Sequence, residues 1–396
     1  MPAPRHKESI VIVLQLLFWG SLFLVLYTYL LYPGLLLLWT ALRAGRRNAT
    51  VPETEDLPPL SVVTSLFNEE AVLEEKVKNL RDIDYPPEKI EFLFGSDGST
   101  DRSVEILEGA GLPNLRLRSF PERRGKAPVL NDLIPAATGE IVVLSDANSF
   151  FYSDTVRQLV KHFQNPRVGA VCGELVLASG SWSVGGLGEG SYWAYENALK
   201  RMESDIRSTL GATGAVYAIR KPLFELLPTS KPVTDDFLIA AKIARKGFDI
   251  KYEPRARAYE KPSGSVAGEF TRKVRIGAAN LHGLAEYWEM LGPRFGFIAW
   301  VLWSRKIIRW AVPFLLIAAL LCSLILAPAS AFFRGVVIAE AIFIALAAAG
   351  LVLDRVGVKA GFFGFPYYFL AMNSALLVGA LRFVRGREPT TWKVVR

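Results

Sequence analysis

The segment GEIVVLSDANSF (139–150) runs from four apolar residues straight onto Ser145, Asp146, Ala147 and Asn148. An acid and an amide two positions apart, closing what reads as a buried strand, can both address one bound group. Similar clusters close two earlier apolar runs: SLFNEE, with Ser65, Phe67, Asn68 and Glu69, and GSDGSTD, with Asp97. A fourth cluster, in VTDDFLIAAKIARKG, sets Thr234, Asp235 and Asp236 ahead of an amphipathic run. The chain has three histidines, His6, His162 and His282, and two cysteines, Cys172 and Cys322. That is a poor supply for a His-centred apparatus and excludes paired-thiol zinc sites. Acid–base chemistry falls to carboxylates.

The elements that must hold these clusters follow from periodicity. LSVVTSLF, IEFLFGSD, NLRLRSF and EIVVLSD read as strands, alternating with the helical patterns EEAVLEEKVKNLRDI, a short segment from Asp101, and KAPVLNDLIPAA. Such alternation predicts an α/β domain with a mostly parallel sheet covered on both faces. Ligands of these sheets sit beyond the carboxyl ends of the strands, where the polar clusters stand. Each cluster also has a structural account. DGSTD makes a turn and helix N-cap, FNEE another cap, DANS an Asx turn, and acids after Thr234 complement a helix dipole. RRGKAPVL lacks Walker spacing, and no Gly-rich dinucleotide fingerprint follows the first strand.

The 396 residues are 51% hydrophobic yet 21% charged, with a net charge of +8. The apolar residues lie at the two ends and the charges in the middle, as in a soluble domain joined to membrane segments. The basic surplus suits an anionic lipid surface or a phosphate-bearing substrate, and no nucleic-acid-binding signature accompanies it. Residues 10–42 carry no charge. As a helix they would be about 48 Å long against a bilayer core of about 30 Å, which predicts one tilted or kinked span bent at Pro33-Gly34. Further spans are predicted at 311–332, 335–353 and 363–381, with 295–303 as a helix lying in the interface. The expected organisation is an anchor (1–45), a central domain (46–262), interfacial helices (263–310), a membrane region (311–383) and a basic tail (384–396). Arg43, Arg46 and Arg47 outnumber Arg5 and Lys7 across the first span, which predicts a cytoplasmic central domain on the inner (plasma) membrane. The sequon at Asn48 would then face the cytosol. A basic tail on the same side would require a re-entrant C-terminal segment or a different number of spans.

SVVTSLFNEE, GSDGSTD, RRGKAPVLNDLIPAATGEIVVLSDANS, GATGAVYAIRK and VTDDFLIAAKIARKGFDIKYEP occur in this order over roughly 60–285. The series resembles membrane-bound, inverting family-two glycosyltransferases, the relatives of cellulose, chitin, hyaluronan and poly-N-acetylglucosamine synthases. The resemblance implies a GT-A fold binding a UDP-sugar. Ser65, Phe67, Asn68 and Glu69 would lie against base and ribose, Asp97 would accept from the uracil ring, and Lys126 and Arg275 would meet the diphosphate. Asp146 and Asn148 stand where the family has D-x-D, implying a bound Mg²⁺ or Mn²⁺. Alternation along an extended segment would put both on one side. Asp236 matches the general base. Gly211, Thr213, Gly214, Asp235 and Arg272 match acceptor-facing positions. Polymer-making relatives have Q-x-x-R-W where this chain has Arg272, Arg275 and Ile276. The stacking Trp is missing unless Trp193, Tyr195 or Trp288 replaces it. Two functional readings follow. One is a synthase extending a glycan, with membrane lipids around it and room for self-association or accessory export proteins. The other is a single addition onto a lipid or polyprenyl-phosphate acceptor. A transporter or silent scaffold would need no Lys126, Asp146 and Asp236 together.

Overall fold

Strands of two to twelve residues form one eight-stranded sheet in the order β3-β2-β1-β4-β7-β6-β8-β5. The computed structural model describes residues 4–43, 52, 56–177, 184–260, 266–358 and 360–386. The domain boundaries expected at 45/46 and 262/263, Asn48, and the tail beyond 386 lie outside them. In chain order the elements are α1 (Pro4–Leu26), α2 (Tyr32–Leu42), β1 (Leu60–Leu66), α3 (Glu70–Arg81), β2 (Ile90–Asp97), α4 (Ser103–Glu108), β3 (Leu115–Phe120) and α5 (Lys126–Ala136). Next come β4 (Ile141–Leu144), β5 (Phe150–Phe151), α6 (Thr155–Val160), β6 (Val168–Leu177), α7 (Val184–Ile206), β7 (Tyr217–Arg220), α8 (Asp235–Arg245) and β8 (Asp249–Glu260). The chain closes with α9 (Val266–Gly283), α10 (Phe297–Leu302), α11 (Ile308–Leu326), α12 (Ala331–Arg355) and α13 (Gly364–Val384).

The β3-β2-β1-β4 half is parallel throughout, so the ends of β1, β2 and β4 share one edge. The chain winds outward from β1 to β3 and returns to β4 on the other side of β1, placing the crevice for a ligand at that reversal. β7 joins antiparallel to both β4 and β6. Two apolar layers cover the sheet. One gathers Leu73, Val77 and Leu80 of α3 with Val156 and Leu159 of α6. The other gathers Val129 and Leu133 of α5 with Leu238 and Ile243 of α8. Gly95 in β2 lets α5 approach closely, since a Cβ there would lie 2.6 Å from Val129 Cγ1. That contact sets the height at which α5 presents Lys126.

Among the described residues, four helical stretches are long and apolar enough to cross a membrane: Glu8–Leu42, Phe297–Ala329, Ala331–Arg355 and Gly361–Val384. Two expectations are corrected here. The 295–303 stretch is not a separate interfacial helix: α10 runs on through a π turn (Trp303–Ile307) into α11 as part of one span. Ile298, Val301 and Leu302 belong to the domain's second apolar layer, and burial there outweighs lying flat on a headgroup surface. In the first span the irregularity is a π turn at Tyr27–Leu31, one turn before Pro33. Proline has no N–H for the carbonyl of Tyr29, which instead accepts from the Tyr195 hydroxyl at 3.3 Å. Pro33 itself sits in the first turn of α2, where a missing donor is tolerated. The two π turns face each other: Tyr27 and Ser304 hydroxyls are 2.8 Å apart, and Thr28 Oγ1 donates to Ser304 O at 2.6 Å.

Candidate active site

Two strand ends and one helix start converge on a lysine. Lys126, the first residue of α5, places its ammonium 2.7 Å from Asp146 Oδ1 at the end of β4 and 3.0 Å from Asp235 Oδ2 at the start of α8. Asp97 at the end of β2 holds the preceding loop, accepting from the backbone N–H groups of Arg124 at 2.7 Å and Gly125 at 2.8 Å. Gly125 has φ of +97°, a conformation only glycine adopts readily, and it turns the chain so that α5 begins at the lysine. Both Asp97 oxygens keep a second lone pair, so the backbone role leaves its expected nucleotide contact open.

Asp236 lies across from this pair. Its Oδ2 accepts from Gly214 N at 2.9 Å and its Oδ1 from Phe237 N at 2.7 Å. Burial, reinforced by the adjacent Asp235 charge, pushes the Asp236 carboxyl up to about 6, with Lys126 opposing. Burial would also raise Asp146, but the Lys126 ammonium beside it holds it below the usual carboxylate range. Burial would lower Lys126, and Asp146 and Asp235 hold it above its ordinary value. Two neighbouring carboxylates are thus driven apart, one a fixed anion and one able to take a proton near neutrality. Gly214 separates them: a Cβ there would lie 3.2 Å from Asp146 Oδ2 and 3.6 Å from Asp236 Oδ2. Gly214→Ala is therefore expected to fill this cradle and lower kcat/KM at least tenfold, roughly the effect of misplacing reacting groups by a fraction of an ångström. The unfolding midpoint should barely move.

The expected alternation of Asp146 and Asn148 is not found. Ser149 N donates to Asp146 O at 3.2 Å, so 146–149 form a turn, and a turn rather than strand pleat relates the two side chains. Asn148 is exposed and Asp146 partly so. Beneath the turn lies the fully buried Lys76 of α3. Its ammonium donates to Ser145 Oγ at 3.0 Å and to Ser149 O, and lies 4.8 Å from the Phe151 ring. Burial lowers Lys76 to about 7 against the charges of Asp146 and Glu260. Glu260 accepts from Ser149 Oγ and is raised to about 7 by burial and Asp146. Tyr217, opposite Leu144 in β7, is buried among the charges of Asp235, Asp236 and Asp146, and its hydroxyl has no hydrogen-bond partner among the described residues.

Sequence reasoning missed Lys76, Tyr217 and Glu260. Lys76 carries a readable signal: with Leu73, Val77 and Leu80 it occupies the apolar stripe of α3 at i, i+3, i+4, i+7. A lysine on that stripe must either snorkel out or find buried acceptors.

The remaining residues divide. Ser65, next to last in β1, is half-buried. Phe67 lies under the Arg123 guanidinium at 3.7 Å. Asn68 adopts φ of +54° and its Oδ1 accepts from Thr100 N at 2.8 Å, tying the β1 and β2 loops together. Glu69 caps α3, its carbonyl accepting from Val72 at 3.0 Å. Arg272 pairs with buried Glu269 at 2.7 Å. Arg275 lies near enough to Asp146 to interact with its charge. α9 is held there by α13, where a Cβ on Gly379 would meet Val274 O at 2.6 Å. Two acceptor-facing positions turn inward instead. Thr213 is buried with its hydroxyl toward Lys200 and Cys172, satisfying a buried ammonium. Gly211, at φ of +92°, packs beneath the Phe237 ring.

Residues 61–227 match Glycosyl transferase family 2. The chain is 24% identical over 227 residues to poly-beta-1,6-N-acetyl-D-glucosamine synthase of Staphylococcus epidermidis, covering 56% of this chain and 55% of that protein. It is 26% identical over 296 residues to beta-monoglucosyldiacylglycerol synthase of a Nostoc species, covering 71% and 60%. The chain thus spans little more than half the length of these curated relatives. Among solved structures it resembles the mannosyltransferase PcManGT of Pyrobaculum calidifontis, in complex with GDP-Man and Mn²⁺. The TM-score there is 0.69 at 25% identity, covering 96% of this chain and 99% of that one.

Proposed function

Since residues 61–227 are a family 2 glycosyltransferase domain within a GT-A fold, we propose that the chain moves a sugar, with inversion, from a UDP-sugar to a glycan acceptor at the membrane. The observation carrying this reading is the triad of Lys126, Asp146 and Asp236 around Gly214 on the ligand-binding edge of the sheet. Asp236 would take the acceptor hydroxyl proton, held in aim by the Gly214 and Phe237 N–H groups. Lys126 would place a positive charge against the departing diphosphate, with Arg275 beside it.

The donor set suits a hard divalent cation: a carboxylate, the exposed amide oxygen of Asn148, and a cradle that any side chain at 214 would fill. Asp146 and Asn148 would hold Mg²⁺ or Mn²⁺. When bound, the ion would neutralise charge on the diphosphate as a Lewis acid. With a neutral second ligand, affinity for the metal alone should be weak, and donor diphosphate must complete the site. In this reading the four apolar helices anchor the chain in the inner membrane with the catalytic domain in the cytoplasm. Ile276 in place of the acceptor-stacking Trp favours a second reading, a single addition onto a lipid acceptor.

A screen of nucleotide sugars, GDP-mannose included, with the purified protein in membranes tests the assignment. One UDP-sugar should be consumed with growth of a product ladder, and EDTA should abolish turnover until Mg²⁺ or Mn²⁺ is restored. A single glycolipid product would replace the first reading by the second. No binding or consumption of any nucleotide sugar would overturn both.

A further inference from the structure

The junction between catalytic domain and membrane spans holds more buried positive charge than its acids neutralise. Arg305, Lys306 and Arg309 enter it from the π turn and α11, facing the acids Glu196 and Glu203 of α7. Arg305 Nη1 lies 2.7 Å from Glu203 Oε2, and Nη2 lies 2.9 Å from Glu196 Oε2. Arg309 Nη1 takes the other Glu196 oxygen. That leaves Arg309 Nε and Nη2 buried with no hydrogen-bond partner among the described residues. The rings of Tyr29 and Tyr195 flank this guanidinium at 5.5 Å each. One turn before it, Lys306 Nζ lies 4.7 Å from the Phe237 ring and near enough to Asp236 for their charges to interact. Among the described residues, no hydrogen bond or ion pair engages its ammonium.

Two adjacent N–H donors of a buried guanidinium left open carry a desolvation cost unless an oxyanion accepts them. The Nε/Nη2 edge is the fork that grips phosphate or carboxylate with two parallel bonds. A lysine one turn away adds a point charge suited to a doubly charged phosphate. Arg309 and Lys306 belong to the span Phe297–Ala329, and Tyr29 to the span Glu8–Leu42, so the site is walled by membrane helices on one side and reaches Asp236 on the other. We propose that Arg309 and Lys306 bind a phosphate on a membrane-borne amphiphile, and that this phosphate holds the acceptor by its membrane anchor. The assignment of the amphiphile as acceptor rests on the transferase reading above.

The test is binding, without nucleotide sugar, to the full chain in dodecyl maltoside micelles. Dodecyl phosphate is titrated, with inorganic phosphate as the soluble source, and the unfolding midpoint is followed. Dodecyl phosphate should raise the midpoint saturably, and inorganic phosphate should bind at least tenfold more weakly. Lys306→Gln and Arg309→Gln should each weaken dodecyl phosphate binding about tenfold, the loss of one charge-assisted contact. Arg334→Gln, removing an exposed cation at another helix end, should change nothing. Arg309→Gln strips a partner from Glu196 and so also tests folding, whereas Lys306 has no such partner among the described residues, so Lys306→Gln decides. Unchanged binding in Lys306→Gln overturns the site, and equal binding of inorganic phosphate overturns its membrane-borne ligand. Intact transfer with no phosphate binding sinks only this proposal, while phosphate binding without any sugar transfer sinks only the enzymatic reading.

Discussion

Asp236→Asn is expected to lower sugar transfer by about 10²–10⁴, the usual worth of a positioned general base, while leaving donor binding within a few-fold of the parent. Asn keeps the shape and one of the two oxygens that accept from Gly214 N and Phe237 N, but its amide nitrogen accepts neither N–H nor proton. The pH profile supplies the sign. Burial and Asp235 raise the Asp236 carboxyl to about 6, and only its ionised form can act as base. The rate should be flat above that pH and fall about tenfold per unit below it. Asp235→Asn removes the charge that helps raise Asp236, so the acid limb should move to lower pH. Asp236→Asn should have no such limb in its residual rate. A profile in the Asn protein identical to the parent's would mean that another group takes the proton.

The largest stability effect is expected at Glu196. It is 5% exposed and receives Arg305 through Nε and Nη2 and Arg309 through Nη1. Glu196→Ala leaves two buried guanidinium groups short of their shared counter-charge, a loss of about 3–5 kcal/mol for breaking such a network. The change should appear as a drop in the unfolding midpoint in micelles. Glu105→Ala is the contrast: its pair with Arg102 is 3.3 Å long and mostly exposed. Such surface pairs contribute at most about 1 kcal/mol. Equal shifts in the two variants would show that the junction is solvated rather than buried.

How much of this was legible in the sequence depends on the range of the interaction. Strands β1 to β4 and the polar clusters at their ends follow from local periodicity and turn chemistry, and the fold is the GT-A fold that the family resemblance implied. Lys126, Asp146, Asp235, Asp236 and Gly214 do meet. The inner supports were less visible. Lys76 reads as one more surface lysine until its place on the apolar stripe of α3 is noticed. Tyr217 looks like strand filler, and the pairing of Glu196 with Arg305 joins residues 109 positions apart. Nothing local announces that contact. The Asp146–Asn148 geometry failed because a turn hydrogen bond from Ser149 overrode strand alternation. The 295–303 segment failed because apolar length alone does not reveal that a span begins inside the domain's own core.

During synthesis, the hydroxyls of Tyr27 and Thr28 reach the bilayer some 276 residues ahead of the serine that will receive them. Until then the Thr28 hydroxyl can bond back to its own helix. The second apolar layer of the sheet also waits for that serine's span, because Ile298, Val301 and Leu302 complete it. The first span therefore finds its final neighbours only after most of the chain has been made.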